Sequence, residues 1–440
     1  MSATSLTSTL PTTTEHVGIF ARRVHGWSWQ AFSVGMGTGA VYVSLIDIHL
    51  PTLLVTHIAT AFLLLSILIF LVNLVALALQ AVLYPPRSLK LMTDPKKAVL
   101  VPLSVLSLET IIIGIVKNAV PDSHISMNTA YALFWTYVFS SVLACFPMLM
   151  TWFNNGHDVT DFTPGKLMLV GVVTANVLDD IPPTENRAIG VLLVGYFFQG
   201  LGTFITLLFL SIYFVRLVST GFMKGPDANA AFVAVGPPGF TALALLGMGI
   251  HARDILPAHH LICTEAGDVF YAVSALASLM LFGLAVFLFL FGALPWWSKL
   301  RTSPNSATRE NSKSRSRLQG VLGCWSLTFP NVGWIATVRV LGDTFSIPGF
   351  YTLHLILVVA MCLVWLTLFV LTMTAFWKGD ILLSEESLVL RDRNHFAGDA
   401  CPQGNGTGSD GAEMDNIAHP NLMHVPTLQG DLEQGPSPND

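Results

Sequence analysis

Charge is what this sequence has least of. Asp, Glu, Lys and Arg make up 11% of its 440 residues while hydrophobic residues make up 52%; soluble domains are roughly a quarter charged. With a mean hydropathy of +0.62, a water-soluble body is excluded. Cysteine is too sparse and too scattered to build anything: Cys145, Cys263, Cys324, Cys362 and Cys401 show no paired-ligand spacing, so neither a disulfide framework nor a zinc site is implied. The first 26 residues lack the apolar core of a signal peptide, which leaves the first apolar helix as its own targeting signal. An integral-membrane enzyme, the distant alternative, needs His, Asp or Cys converging on one membrane face. The grouped histidines His251, His259 and His260, with Arg253, fall in one outer loop after the seventh apolar stretch, without further ligands. No catalytic residue, cofactor, metal or nucleic-acid partner is expected.

What is present is apolar length. Ten stretches approach the ~20 residues that cross a bilayer: 28–50, 58–83, 98–117, 130–153, 166–181, 188–216, 231–251, 268–294, 322–341 and 350–377. Counting charge in alternate loops puts 18 of the 22 Lys and Arg on one side, the exceptions being Lys117, Arg187, Arg253 and Arg339. Cytoplasmic loops retain positive charge, so both termini are expected in the cytosol. The expected organisation is a cytosolic segment 1–26, a membrane domain 27–378 interrupted by a basic linker at 302–317, and an acidic, mostly disordered tail 379–440. From Lys378 onward there are 11 acidic and 3 basic residues, and residues 398–440 are too polar to order themselves. The glycosylation pattern Asn405-Gly406-Thr407 carries little weight on such a tail.

Proline and glycine are unevenly shared among these stretches. Odd-numbered ones contain Gly35, Gly37 and Gly39, then Pro102, then Pro237 and Pro238, then Pro330, while the second and tenth contain neither residue and Pro147 is the lone proline of the even set. The alternation predicts an all-α membrane protein of ten transmembrane helices, arranged as five hairpins whose kinked members surround a central pore and whose straight members face lipid. The sharpest break is Gly236-Pro237-Pro238-Gly239-Phe240. Two prolines remove two backbone donors, so a helix broken there must face protein or water.

The segment from Phe232 through Gly236-Pro237-Pro238-Gly239-Phe240-Thr241 to Leu245, together with Trp325-Ser326-Leu327-Thr328-Phe329-Pro330-Asn331-Val332-Gly333, resembles the fungal malic acid transport proteins. These belong to the tellurite-resistance and C4-dicarboxylate transporter family, which also contains fungal sulfite exporters and plant guard-cell anion channels. Trp27-Ser28-Trp29 through Met36-Gly37-Thr38-Gly39, and Pro102 with Leu106-Ser107-Leu108 and Thr110, carry lesser matches, and the likeness extends over roughly residues 25–378. The resemblance implies ten helices with quasi-fivefold hairpin symmetry, a pore lined by the odd helices and, in many members, a homotrimer. It also implies a small anionic substrate, malate being the type, with sulfite as the alternative. A ninth-helix phenylalanine plugs the pore of channel members, and Phe329 occupies the matching position. The fifth stretch departs from the family, which commonly has several prolines there; here 166–178 has none, and Asp179-Asp180-Ile181-Pro182-Pro183 comes after it.

An anion crossing such a body exchanges its water for donors. Broken helices supply unpaired amides and positive N-termini. The expected path comprises the amides around Gly37–Gly39 and Gly236–Gly239, the hydroxyls of Thr38, Thr241 and Thr328, the kinks at Pro102, Pro237, Pro238 and Pro330, and Phe329. The competing reading of each threonine is a hydroxyl bonded to its own helix carbonyl. Glu109, in mid-membrane, costs about 2.5–3.5 kcal/mol unless protonated or paired. It is expected either to face the pore and exchange a proton during transport, or to be a neutral carboxyl bonded to a neighbouring helix. Arg339 is expected near the outer mouth, where a basic side chain attracts anions or snorkels to the interface.

Overall fold

The computed structural model describes residues 16–119, 126–154, 171–222, 228, 230–301 and 320–399. The linker at 302–317, the start of the fifth apolar stretch and the tail beyond 399 lie outside the described residues. By contact the chain divides into a unit spanning Met1–His395, which contains all ten apolar stretches, and a second spanning Phe396–Asp440.

Helix occupies nearly all of the described chain, and no strand occurs among the described residues. In order, the helices are α1 (Ile19–Gly26), α2 (Phe32–Ile46), α3 (Leu53–Leu83), α4 (Pro85–Thr93), α5 (Pro95–Ala98), α6 (Pro102–Ala119), α7 (Met127–Phe153), α8 (Gly171–Leu178), α9 (Asn186–Thr220), α10 (Ala230–Val233), α11 (Gly236–Ala258), α12 (Ala266–Arg301), α13 (Val321–Cys324), α14 (Phe329–Phe345), α15 (Pro348–Lys378) and α16 (Glu386–Asp399). Each of the ten apolar stretches therefore contains α-helix. Seven spans among the described residues are long and apolar enough to cross a membrane: Leu53–Leu83, Met127–Phe153, Asn186–Thr220, Ala231–Ala258, Ala266–Leu294, Val321–Phe345 and Pro348–Lys378. By comparison, α2 has 15 residues and α8 only 8.

The long helices end where local chemistry ends them. The Thr52 side chain accepts from Val55 N to cap α3, and Ser126 does the same for Thr129 N at α7. Gly221 (φ 73°) and Gly379 (φ 75°) take positive backbone angles that stop α9 and α15. Pro348 opens α15 in the first turn, where no donor is needed.

Packing sorts these helices into two layers. In the inner layer α2 lies against α6, α6 against α8, α8 against α11, α11 against α14, and α14 against α2, which closes a ring. Each outer helix lies over a seam of that ring: α3 touches α2 and α6, α7 touches α6 and α8, α9 touches α8 and α11, α12 touches α11 and α14, and α15 touches α14 and α2. The ring can close tightly because glycines face it. A Cβ at Gly39 would sit 2.1 Å from Thr110 Oγ1, and one at Gly333 2.4 Å from Phe240 N. Outer helices turn polar groups inward and leucines outward. On α3, Ser66, Asn73 and Gln80 recur every seven residues and are all buried, Ser66 donating to Gly35 O and Asn73 to Ala31 O. Leu64, Leu68 and Val75 of the same helix are exposed, the arrangement expected where lipid replaces water.

The two ends of the unit meet. Arg22 Nε donates to Ser384 O, and Ser384 N returns a bond to Arg22 O. His25 is held between Ser384 Oγ at 2.8 Å and Asp392 Oδ2 at 2.9 Å. Thus the first part of the acidic segment 379–440 is folded as α16 and packs on α1, and residues 400–440 lie outside the described residues.

Candidate functional site

Two inner helices are interrupted at the same depth. Between α10 and α11 the chain breaks at Ala234–Val235, and Pro237 and Pro238 fall in the first turn of α11. Between a 3₁₀ turn at Trp325–Leu327 and α14, Thr328 takes φ −96° and ψ −89°, and Pro330 falls in the first turn of α14. Prolines lack the amide that a first turn leaves unpaired in any case, so the breaks convert a kink into two helix starts. Both starts open on one cavity of about 40 Å³, bounded by Met36, Leu106, Glu109, Val233, Gly236, Pro237, Phe240, Ser326, Phe329 and Pro330. That is room for about two water molecules. The rings of Phe240 and Phe329 stack with centroids 4.7 Å apart and planes inclined by 28°, and both bound this space. Glu109 is 2% exposed and shares a hydrogen bond with the Tyr137 phenol of α7.

A second cavity, about 320 Å³, lies where the inner helices end. It is bounded by later residues of α2, α6, α11 and α14, among them Val43, Lys117, His251 and Arg339, and by α8 from Val172 to Asn176. The first cavity touches only earlier positions of α2, α6, α11 and α14. Helices α2, α6, α11 and α14 therefore run in one direction, from the central cavity to this mouth. Its charges are paired: Lys117 Nζ lies 2.7 Å from Asp47 Oδ1, His251 Nε2 lies 3.2 Å from Asp179 Oδ1, and Arg339 pairs with Asp343 one turn further along α14.

The sequence profile of the SLAC1, voltage-dependent anion channel family matches residues 26–373. The chain belongs to that family. A sulfite efflux pump of Trichophyton rubrum is 25% identical over 356 residues, covering 79% of this chain and 89% of its own. One from Arthroderma otae is 24% identical over 375 residues (81% and 94%). The malic acid transport protein of Schizosaccharomyces pombe is also 24% identical over 375 residues (83% and 82%).

For this voltage-dependent anion channel family member, the central cavity gathers four of the residues expected on the path, Gly236, Pro237, Phe329 and Pro330, together with the proton-exchange candidate Glu109. Others have different duties. Gly37 and Gly39 lie inside an unbroken α2, so their amides belong to the helix ladder; a Cβ at Gly37 would meet Trp325 at 2.4 Å, which makes both glycines contact points of the ring. Thr38 Oγ1 donates to Val34 O and accepts from Trp365 Nε1. Thr241 Oγ1 donates to Pro237 O and accepts from Gln199 Nε2, and Thr328 Oγ1 donates to Trp325 O. All three donors return to local backbone carbonyls rather than to the cavity. Pro102 and Pro238 serve as first-turn residues of α6 and α11. Glu109 bounds the cavity and also hydrogen-bonds Tyr137 of the neighbouring helix α7. Arg339 borders the second cavity, paired with Asp343 and over the Tyr351 ring. His251 and Arg253 belong to α11, which continues to Ala258, and not to a loop. Phe240 was legible as the residue closing the Gly-Pro-Pro-Gly run; nothing local to Tyr137 marked it as the partner of Glu109.

Proposed function

We propose that this protein carries small organic anions, C4-dicarboxylates such as malate, along the axis of the inner ring. Ten transmembrane helices in five hairpins would surround that axis, with both termini in the cytosol of a plasma-membrane protein. The observation that carries the reading is the meeting of two helix N-termini at one cavity bordered by four of the ring's five helices. Each N-terminus is worth about half a positive charge, so the two together offer an anion roughly one unit without a fixed cation to trap it. Family membership supports anion passage, and the malic acid transport protein among the relatives supports the dicarboxylate.

Glu109 gives this field a switch. Ionised, its carboxylate cancels the two dipoles and rejects an anion; protonated, it leaves them intact. Proton and anion would then pass this constriction together, which couples uptake to the proton gradient. Relatives named as sulfite efflux pumps support a second reading, sulfite export, on the same scaffold.

Radiolabelled malate and sulfite fluxes, measured in parallel in proteoliposomes across an imposed pH gradient, test both. Malate flux competed by succinate supports the first reading. Sulfite flux without malate flux replaces it with the second, and neither flux ends both.

A further inference from the structure

The mouth cavity carries chemistry that the central cavity lacks. Later turns of α2, α6, α11 and α14 border it, on the side of their negative C-terminal ends, so its backbone field opposes an entering anion. Lys117, His251 and Arg339 are the basic side chains bounding it. They form one cluster with the carboxylates rather than three isolated pairs. Lys117 feels Asp179 and Arg339 as well as Asp47, and His354 of α15 feels both Asp47 and Arg339. Arg339 Nε is buried with no hydrogen-bond partner, and this guanidinium stands on α14 while Lys117 stands on α6.

We propose that the mouth cavity is a binding site for short dicarboxylate dianions, with Lys117 and Arg339 each taking one carboxylate of the ligand. Asp47 and Asp343 occupy those two cations when the site is empty, and the ligand displaces them. The exchange keeps each cation paired, and the displaced Asp47 and Asp343 carboxylates, 20% and 48% exposed, return to water. Arg339 can hold its carboxylate through two parallel N–H groups, while Lys117 acts as a point charge. The space is in the range of small-molecule sites, larger than a four-carbon diacid needs, so some water enters with it. A monocarboxylate can displace one aspartate only, which makes the site selective by charge count. The inference refines the transport reading above by naming a selective site for its substrate, yet it can be tested without transport.

The test is calorimetric binding of succinate, with acetate as the monovalent control, to the purified full-length protein. The wild type is expected to bind succinate at least tenfold more tightly than acetate. K117Q and R339Q should each weaken succinate about tenfold, K117R should retain binding, and D47N and D343N should tighten it several-fold. The opposite signs of the two sets separate a ligand site from structural ion pairs, since a structural role predicts that either partner's loss is damaging. No succinate binding by the wild type, unchanged binding in K117Q and R339Q, or weakened binding in D47N and D343N would each overturn the site. Flux is measured separately on the same proteins: succinate binding with no dicarboxylate flux sinks the transport reading alone, and flux whose KM ignores all four charge changes sinks the site alone.

Discussion

In the span Val321–Phe345, 83% of the most apolar window is buried in protein, whereas in Pro348–Lys378, the next helix along the chain, the figure is 28%. The same contrast separates Ala231–Ala258, at 72%, from Ala266–Leu294, at 28%. In each pair the less buried span is the longer and the more apolar. In water the order would be reversed, because apolar surface would seek the interior. Here lipid accepts Leu and Phe on the outside, and what is driven inward is whatever lipid cannot satisfy: broken backbone, hydroxyls, Gln199, Asn73 and Glu109. Small residues then let those helices approach closely. The outer helices are held by surface and by length, the inner ones by contact at glycine.

That difference predicts opposite outcomes for one added methyl group. Gly333→Ala places a Cβ 2.4 Å from Phe240 N and 2.7 Å from Gly239 C, backbone atoms that cannot step aside. It should cost about 3 kcal/mol or more, seen as loss of monodisperse protein or a collapse of the thermal midpoint in detergent. Gly200→Ala on α9 meets nothing within 4 Å and should stabilise by about 0.5–1 kcal/mol through helix propensity. Equal tolerance of the two changes would break the division into layers.

Phe329→Ala probes the same division by function. Removing one of the stacked rings over the central cavity should raise anion flux roughly tenfold by relieving an apolar constriction. Phe204→Ala, on an outer helix and 74% exposed, should leave flux unchanged. Glu109→Gln should keep the fold and the Tyr137 contact but flatten the pH dependence of uptake. A pH profile identical to the wild type removes the proton switch and leaves the dipole reading standing.

Much of the layering could be read in the sequence because proline and glycine report backbone breaks directly. The contrast between stretches 231–251 or 322–341 and stretches 58–83 or 350–377 is a statement about chain chemistry, and it coincides with the burial pattern. The fifth stretch lacked that signal. Its described helix α8 is inner because Gly171 N bonds Gln199 Oε1, and that same amide side chain bonds Thr241 of α11. Such a bridge depends on residues 28 and 42 positions apart. The threonines were ambiguous for a different reason: a helical hydroxyl reaches its own carbonyl four residues back as easily as a neighbour or a cavity. The pairings Lys117 with Asp47 and His251 with Asp179 join different helices, so no local spacing announces them.

The clamp between the chain ends gives the smallest and most selective test. It grips outer helices: Gln80 Nε2 of α3 reaches the carbonyls of Val24, His25 and Trp27, and Arg23 donates to Phe376 O of α15 with its guanidinium 3.8 Å from that ring. Burial pushes the Asp392 carboxyl up, but the His25 hydrogen bond and charge, with Arg391, outweigh it and hold the group below the usual carboxylate range. A depressed folded value contributes stability that is complete above the unfolded value, about 3.9, and is lost as pH falls through the folded one. The contribution is small, about 1 kcal/mol, because the Asp392 end of the pair stays open to solvent. Asp392→Asn should therefore speed amide exchange in α1 at neutral pH by a few-fold, and the difference from wild type should begin to shrink only below about pH 3.9 and vanish once pH has fallen through the depressed folded value. Exchange in α11 and α14 should not change. If the substitution loosened α14 as much as α1, the ring would depend on its outer shell, and the separation between helices held by contact and helices held by lipid would fail.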